Sequence, residues 1–315
     1  MKLITIVIPT FNEASNIESL YVSINKTLEH LKNKYHFHFI IIDNCSTDGT
    51  VLALKEIAKK DKNFKIIINT RNFGHIRSPY YGILQSYGDA TIYMASDFQD
   101  PPELLLQFIK KWEEGSEVVF AQKIKSDEKL LLKWSRKIFY FLLKKISDVN
   151  LVENATGFGI YDKKVISKLK KINDPMPFLR GLIAELGCKI DLVKFTQPLR
   201  KSGSTKNNYY TLIDNAILGF VSHSAVPLRL ITLCGMPLSL LCFLSAVTFF
   251  ILKLIFWEDF VFGLAPLIII IFILFGFLLL FLSLVSEYVL NFRNLIQNRP
   301  LVIERERVNF DEEIK

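Results

Sequence analysis

The residue types able to do chemistry in this 315-residue chain are concentrated in four short polar segments, residues 9–13, 43–48, 69–75 and 96–100, each directly following an apolar run. Asp43 could accept hydrogen bonds from a nucleobase or a ribose, and Asp97 could hold a divalent cation that bridges two phosphates. Gln99, Asp100 and Glu103 gather around Asp97 just ahead of a helix start, which sets it apart from an ordinary solvated loop acid. Asp48 reads differently, because Asp-Gly-Thr ahead of a helix is the pattern of a capping turn. His75 is a lone loop histidine and reads first as polar surface. A pocket for base and ribose, neutralisation of a leaving diphosphate and an acceptor oxygen opposite it are the needs of group transfer from an activated nucleotide.

Such residues work only if the chain brings their loops to one place. Residues 3–8 form a β-branched run, and residues 13–31 then place Ile17, Leu20, Ile24, Leu28 and Leu31 at helical spacing. Residues 37–42 repeat the strand, and residues 51–60 repeat the helix. Further strands are predicted at 65–68 and 91–95, with a helix over 79–87 between them. Another helix is predicted from Pro101-Pro102, since proline suits a first helical turn. This alternation predicts an α/β fold, a mostly parallel Rossmann-like sheet with helices on both faces. Ligands of such sheets bind at the carboxyl ends of the strands, where the four polar segments lie.

Half of the residues are hydrophobic, but the excess sits in residues 228–252 and 261–285. Each run exceeds the ~20 residues that span a hydrocarbon core, so a C-terminal two-helix transmembrane hairpin is expected. The resulting division is a catalytic domain at 1–206, a juxtamembrane segment at 207–225, two spans within 226–287 and a tail at 288–315. Tyr209, Tyr210, Ile213, Ile217 and Phe220 suit a helix lying on the bilayer, and equally one packed on the domain. Arg200, Lys201, Lys206 and Arg229 precede the first span, and Arg293, Arg299, Arg305 and Arg307 follow the second. That bias puts both ends in the cytoplasm and makes the chain a multi-pass protein of the inner (plasma) membrane. The opening MKLITIVIPT is too short for a signal peptide. The net charge of +8 is read as attraction to anionic head groups, with no nucleic-acid motif to compete. Cys45, Cys188, Cys234 and Cys242 lack metal-binding spacing and are expected to be reduced.

Val7-Ile8-Pro9-Thr10-Phe11-Asn12-Glu13, Asp43-Asn44-Cys45-Ser46-Thr47-Asp48-Gly49-Thr50, Arg71-Asn72-Phe73-Gly74 and Asp97-Phe98-Gln99-Asp100-Pro101-Pro102-Glu103 together resemble the family 2 glycosyltransferases of GT-A fold. The branch resembled is that of dolichol-phosphate mannose synthase and the bacterial polyprenyl-phosphate glycosyltransferases, and the likeness continues through Arg200, Gly203, Thr205, Lys206, the two spans and Asn298-Arg299-Pro300-Leu301. The resemblance implies a nucleotide-sugar donor held by Pro9, Phe11, Glu13, Asp43 and Arg71. It implies catalysis by Asp97, Gln99 and Arg71, with Mg2+ or Mn2+ on Asp97. It also implies a polyprenyl phosphate acceptor met by Arg200 and Lys206, with Arg180 as a further phosphate contact, and a four-chain homo-oligomer. The expected reaction is inverting, with UDP the preferred nucleotide and GDP next. A glycolipid or lipid-linked oligosaccharide acceptor is the second reading, and a catalytically silent nucleotide-sugar-binding membrane protein the third.

Four places depart from the family pattern, one of them His75-Ile76-Arg77 in place of a more usual Lys-Glu-Ala type of continuation, so a different donor is expected there. Ala95 replaces the first acid of the usual Asp-x-Asp pair, so the metal is expected to lean on Asp100 as well as Asp97. Asn44 stands where a second Asp is common, and Gly157 occupies a position that is acidic in some relatives. No general base is expected, because a phosphate acceptor is already anionic.

Overall fold

The computed structural model describes residues 1–124, 152, 154–198, 244, 248, 251, 255, 264–297 and 299–310. In chain order these form β1 (Lys2–Thr10), α1 (Ile17–Leu28), β2 (Tyr35–Asp43), α2 (Thr50–Lys60), β3 (Phe64–Asn69), α3 (Gly74–Leu84), β4 (Ala90–Tyr93), α4 (Leu104–Glu113) and β5 (Val118–Lys123). There follow β6 (Ala155–Asp162), α5 (Lys163–Leu169), α6 (Leu179–Glu185), β7 (Ile190–Phe195), α7 (Leu264–Ile296) and β8 (Glu304–Val308). One eight-stranded sheet runs β7-β5-β6-β4-β1-β2-β3-β8. Strands β4, β1, β2 and β3 are mutually parallel, β5 pairs parallel with β7, and β6 and β8 run antiparallel to their neighbours.

The near-continuous apolar runs of β1 to β3 are needed because both faces of the sheet are covered. Ile6 and Ile8 of β1, Ile41 of β2 and Ile66 and Ile68 of β3 face Leu20, Ile24, Leu54 and Phe108 in one core. The alternate residues Val7, Ile40, Ile42 and Ile67 face Tyr80 and Ile83 of α3 in the other. Each fully buried side chain of this kind contributes about 1.5–3 kcal/mol. On α1 the buried stripe is Ile17, Leu20, Ile24 and Leu28, as the spacing predicts. The helix after Pro101-Pro102 begins later than expected, at Leu104, because Leu104 and Leu105 first bond back to the carbonyls of Pro101 and Pro102 in a turn.

The C-terminal region brings a strand that periodicity does not reveal. Residues 304–308, read from sequence as tail, pair antiparallel with β3, Ile67 standing opposite Arg307. Their sequence Glu-Arg-Glu-Arg-Val hides the strand, since only Val308 packs against the core. Tyr81 donates to Glu304 at 2.7 Å, and Lys55 pairs with Glu306 at 2.7 Å. A charged strand of this kind blunts the sheet edge against further pairing.

Before β8, residues Leu264–Ile296 form one continuous 33-residue helix with the sequence LAPLIIIIFILFGFLLLFLSLVSEYVLNFRNLI, which at 1.5 Å per residue is about 50 Å long. Over the described side chains alone no helix is long and apolar enough to cross a membrane. The expected first span, 228–252, lies outside the described residues apart from three isolated positions, as does all of segment 207–225.

Candidate active site

Parallel pairing brings the carboxyl ends of β1, β2, β3 and β4 to one edge of the sheet. β5 ends there too, since both it and β4 run antiparallel to β6. Every loop leaving the four central strands contains a left-handed residue: Asn12 (φ 58°), Cys45 (φ 66°), Gly74 (φ 87°) and Phe98 (φ 61°). For Cys45 and Phe98 that backbone costs on the order of 1–3 kcal/mol each. The chain turns back sharply at this edge and exposes backbone and short polar groups.

The first two loops are tied together. Asp43 is fully buried; its carboxylate accepts from the Ser46 backbone N–H at 2.9 Å, from the Ser46 hydroxyl and from Thr10 Oγ1 at 3.3 Å. Ser46 Oγ accepts from the Asn12 N–H at 2.9 Å, and Asn12 Oδ1 accepts from the Thr47 N–H at 2.8 Å. Thr50 Oγ1 accepts from the Glu13 N–H at 2.9 Å, and the Glu13 carboxylate accepts from Asn16 Nδ2 at 2.6 Å. The cap position of α2 is Gly49; Asp48, one residue before it, accepts from the Thr50 N–H at 2.9 Å and the Ala14 N–H at 3.3 Å. Partial burial alone would raise its pKa, but hydrogen bonds from Thr50 and Ala14 outweigh that and hold it below its usual value.

Asn44 joins the second loop to the third. Its Nδ2 donates to Asn72 Oδ1 at 2.8 Å and to the Gly74 carbonyl at 3.1 Å, while its Oδ1 accepts from the Phe73 N–H at 2.9 Å and Asn69 Nδ2 at 3.2 Å. An aspartate could accept here but could not donate, which gives a structural reason for Asn where a second Asp is common. Arg71 stands exposed on this loop, its guanidinium 4.1 Å from the Phe73 ring centroid. Pro9, Phe11 and Glu13 are half-buried on the first loop. All five residues expected to hold a nucleotide therefore share one edge and one bonded set of loops.

The loop after β4 is built differently. Asp97 is 5% exposed and Asp100 is 7% exposed. Asp97 Oδ1 accepts from the Gln99 N–H at 3.1 Å, and Asp100 Oδ2 accepts from the Ala95 N–H at 2.8 Å. Burial pushes the Asp100 carboxyl up to about 7; the Ala95 N–H opposes the rise, the negative charge of Asp97 adds to it, and Lys123 opposes it. Lys123 is a residue that sequence reasoning passes over. Its signal is a cation closing the apolar run of β5, visible only once β5 is known to end at the same edge as β4. A pair of hard carboxylate oxygens, one of them held near neutrality by burial, suits Mg2+ or Mn2+. Among the described residues no third His, Cys, Asp or Glu completes a protein-only metal cluster.

On the far side of this loop, Gly157 lies against Tyr93: a Cβ there would meet the ring at 3.1 Å. The Tyr161 hydroxyl donates to the Gly157 carbonyl. Arg180 donates to the Ala155 carbonyl at 2.7 Å, which holds it at the end of β6 that reaches past β4. Arg200 and Lys206 lie outside the described residues.

Linked loops and a buried acid pair at the carboxyl ends of the strands place the ligand site of this α/β fold where such sheets bind their ligands. The description "Glycosyl transferase family 2" matches residues 5–170, and the chain belongs to that family. It is a glycosyltransferase. An uncharacterised glycosyltransferase of Bacillus subtilis (strain 168) is 32% identical over 95% of this chain and 92% of its own length. The prophage bactoprenol glucosyl transferase homologue of Escherichia coli (strain K12) is 30% identical over 91% and 93%. The bactoprenol glucosyl transferase of Shigella phage SfII is 30% identical over 95% and 96%. Among solved structures, glucosyl-3-phosphoglycerate synthase from Mycobacterium tuberculosis, in complex with Mn2+, uridine diphosphate and glucosyl-3-phosphoglycerate, has 15% identity and a TM-score of 0.46 over 74% of this chain and 80% of that one. At that similarity it bears on neither the substrate nor the metal of this chain.

Proposed function

We propose that the protein moves a sugar, with inversion, from a nucleotide-sugar to polyprenyl phosphate at the cytoplasmic face of the inner membrane. The observation that carries the acceptor is the 30% identity to bactoprenol glucosyl transferases over 91% and 95% of the chain, well beyond the catalytic region. In the reaction an oxygen of the lipid phosphate forms a bond to the anomeric carbon as the bond to the nucleoside diphosphate breaks. No proton need leave the acceptor, so the site requires no strong base.

Pro9, Phe11, Glu13 and Asp43 line the donor's nucleoside end, with Arg71 supplying positive charge from the third loop. UDP is the preferred nucleotide and GDP the second choice. Asp97 and Asp100 would hold Mg2+ or Mn2+, whose charge offsets that of the departing diphosphate. Gln99 lies beside the donor sugar, and Arg180 with Arg200 and Lys206 faces the acceptor phosphate. Helix α7 and residues 228–252 form the membrane hairpin. The pairing of β8 with β3 supports this topology, because the chain leaving α7 must return to the catalytic sheet. Both ends of the hairpin then lie on the catalytic side.

The test is incubation of detergent-purified protein with short polyprenyl phosphates, Mg2+ and a panel of labelled UDP- and GDP-sugars. Label from one donor is expected in the organic phase. Nucleotide binding without any labelled lipid would overturn the acceptor and favour a glycolipid.

A further inference from the structure

Arginines that the donor site does not use meet beside the C-terminal segment. Arg77, on the first turn of α3, donates through Nη2 to the Pro300 carbonyl at 2.6 Å, and its Nε is buried without a hydrogen-bond partner. Its guanidinium lies 5.6 Å from the Phe73 ring that Arg71 covers at 4.1 Å. The positive charges of Arg71 and Arg299 both act on it. Among the described residues no carboxylate pairs with Arg71, Arg77 or Arg299. Mutually repelling guanidinium groups without a carboxylate partner are stabilised by an anion, and a phosphate suits their planar donors.

The place of the cluster excludes the reacting phosphates. It lies at the β3 edge, and in the order β4-β1-β2-β3 the acid loop after β4 is three strand spacings away, about 14 Å. Neither a diphosphate held at Asp97 and Asp100 nor an acceptor reacting there reaches Arg77. Arg299, however, follows directly on the end of α7 at Ile296.

We infer that Arg77 and Arg299 bind the head-group phosphate of an anionic membrane phospholipid and so fix the donor loop at the bilayer surface. The inference rests on α7 being a membrane helix. An anionic head group attracts juxtamembrane cations electrostatically.

The experiment is native mass spectrometry of the full chain in detergent with dioleoyl phosphatidylglycerol, dioleoyl phosphatidylcholine or inorganic phosphate as probe. It is run on wild type, Arg299→Gln and the double variant Arg77→Gln/Arg299→Gln, with sugar transfer measured in detergent on the same preparations. Wild type is expected to retain phosphatidylglycerol over phosphatidylcholine; Arg299→Gln weakens that preference several-fold and the double variant about tenfold, with transfer unchanged. Arg299 is exposed, so its single variant keeps the test meaningful even if loss of the Arg77 bond disturbs the fold. An undiminished preference in Arg299→Gln and the double variant overturns the site. Displacement of the lipid by millimolar inorganic phosphate assigns the cluster to free phosphate and overturns the lipid. Lipid binding is read independently of transfer, so an inactive protein that still discriminates the lipids leaves this inference standing while the acceptor reading falls. A chain recovered in aqueous buffer without detergent overturns both.

Discussion

The loops after β1, β2 and β3 and the loop after β4 stand at the same sheet edge but are held in opposite ways. In the first three, side chains bond to one another and to neighbouring backbone, with Asp43, Asn44 and Asp48 each engaged by more than one donor or acceptor. In the fourth, buried Asp97 and Asp100 accept from the N–H groups of Gln99 and Ala95, and the pKa of Asp100 is raised. Under the proposed function, the difference separates recognition from chemistry. A nucleoside is matched by a rigid, preorganised surface, whereas a diphosphate and its cation need acidic oxygens that can exchange a proton for a metal ion.

The comparison is broken most severely at Asp97. Asp97→Asn preserves its size and its bond from Gln99, yet should lower turnover by about 100-fold or more, with UDP binding retained. Next is Asn44→Asp, which loses the donors to Asn72 and Gly74. Losing both bonds and setting a carboxylate oxygen against the Asn72 and Gly74 oxygens should cost about 1–3 kcal/mol, although Asn72 Oδ1 keeps its bond from the Gly74 N–H; the loss is visible as a lower Tm and weaker donor binding with a smaller change in turnover at saturating donor.

A pH series sharpens the comparison. The folded protein holds the Asp100 proton up to about pH 7, whereas the unfolded chain releases it near pH 4. Between those values the unfolded state binds fewer protons, so the metal-free protein should lose stability as pH rises through that window. Asp100→Asn should flatten that part of the Tm profile. Cation binding displaces the proton, so Mn2+ affinity should rise with pH and level off above about 7, and a Mn2+ titration by calorimetry checks this. The smallest effect is expected in the charged strand β8. Lys55→Gln removes a pair whose side chains are 36% and 40% exposed, and such pairs contribute about 0–1 kcal/mol.

Legibility in the sequence follows the same division. Most strands and helices of residues 2–113 were readable because two-faced burial writes continuous apolar runs and a 3.6-residue stripe into the chain, as in Ile4–Ile8 and Ile17–Leu28, but α3 begins at Gly74 rather than 79 and carries Pro79 inside it. The four polar segments were readable as strand-end loops for the same reason. The role of Asn44 was not readable, because its partners Asn72 and Gly74 are local only after β2 and β3 pair. Lys123 and the elevated Asp100 were hidden because they depend on the antiparallel return of β6 between β4 and β5. Strand β8 was hidden because polar edge pairing leaves no hydrophobic alternation in Glu304–Val308.

The central claim is that the acid loop performs the transfer while the bonded loops recognise the donor. Its most direct test measures label transferred from a UDP- or GDP-sugar to polyprenyl phosphate, with nucleotide affinity on the same preparations of wild type and Asp97→Asn. Labelled lipid from wild type alone, with closely matched nucleotide affinity in both, is the predicted result. Equal transfer by both proteins, or loss of nucleotide binding together with transfer, would contradict the division.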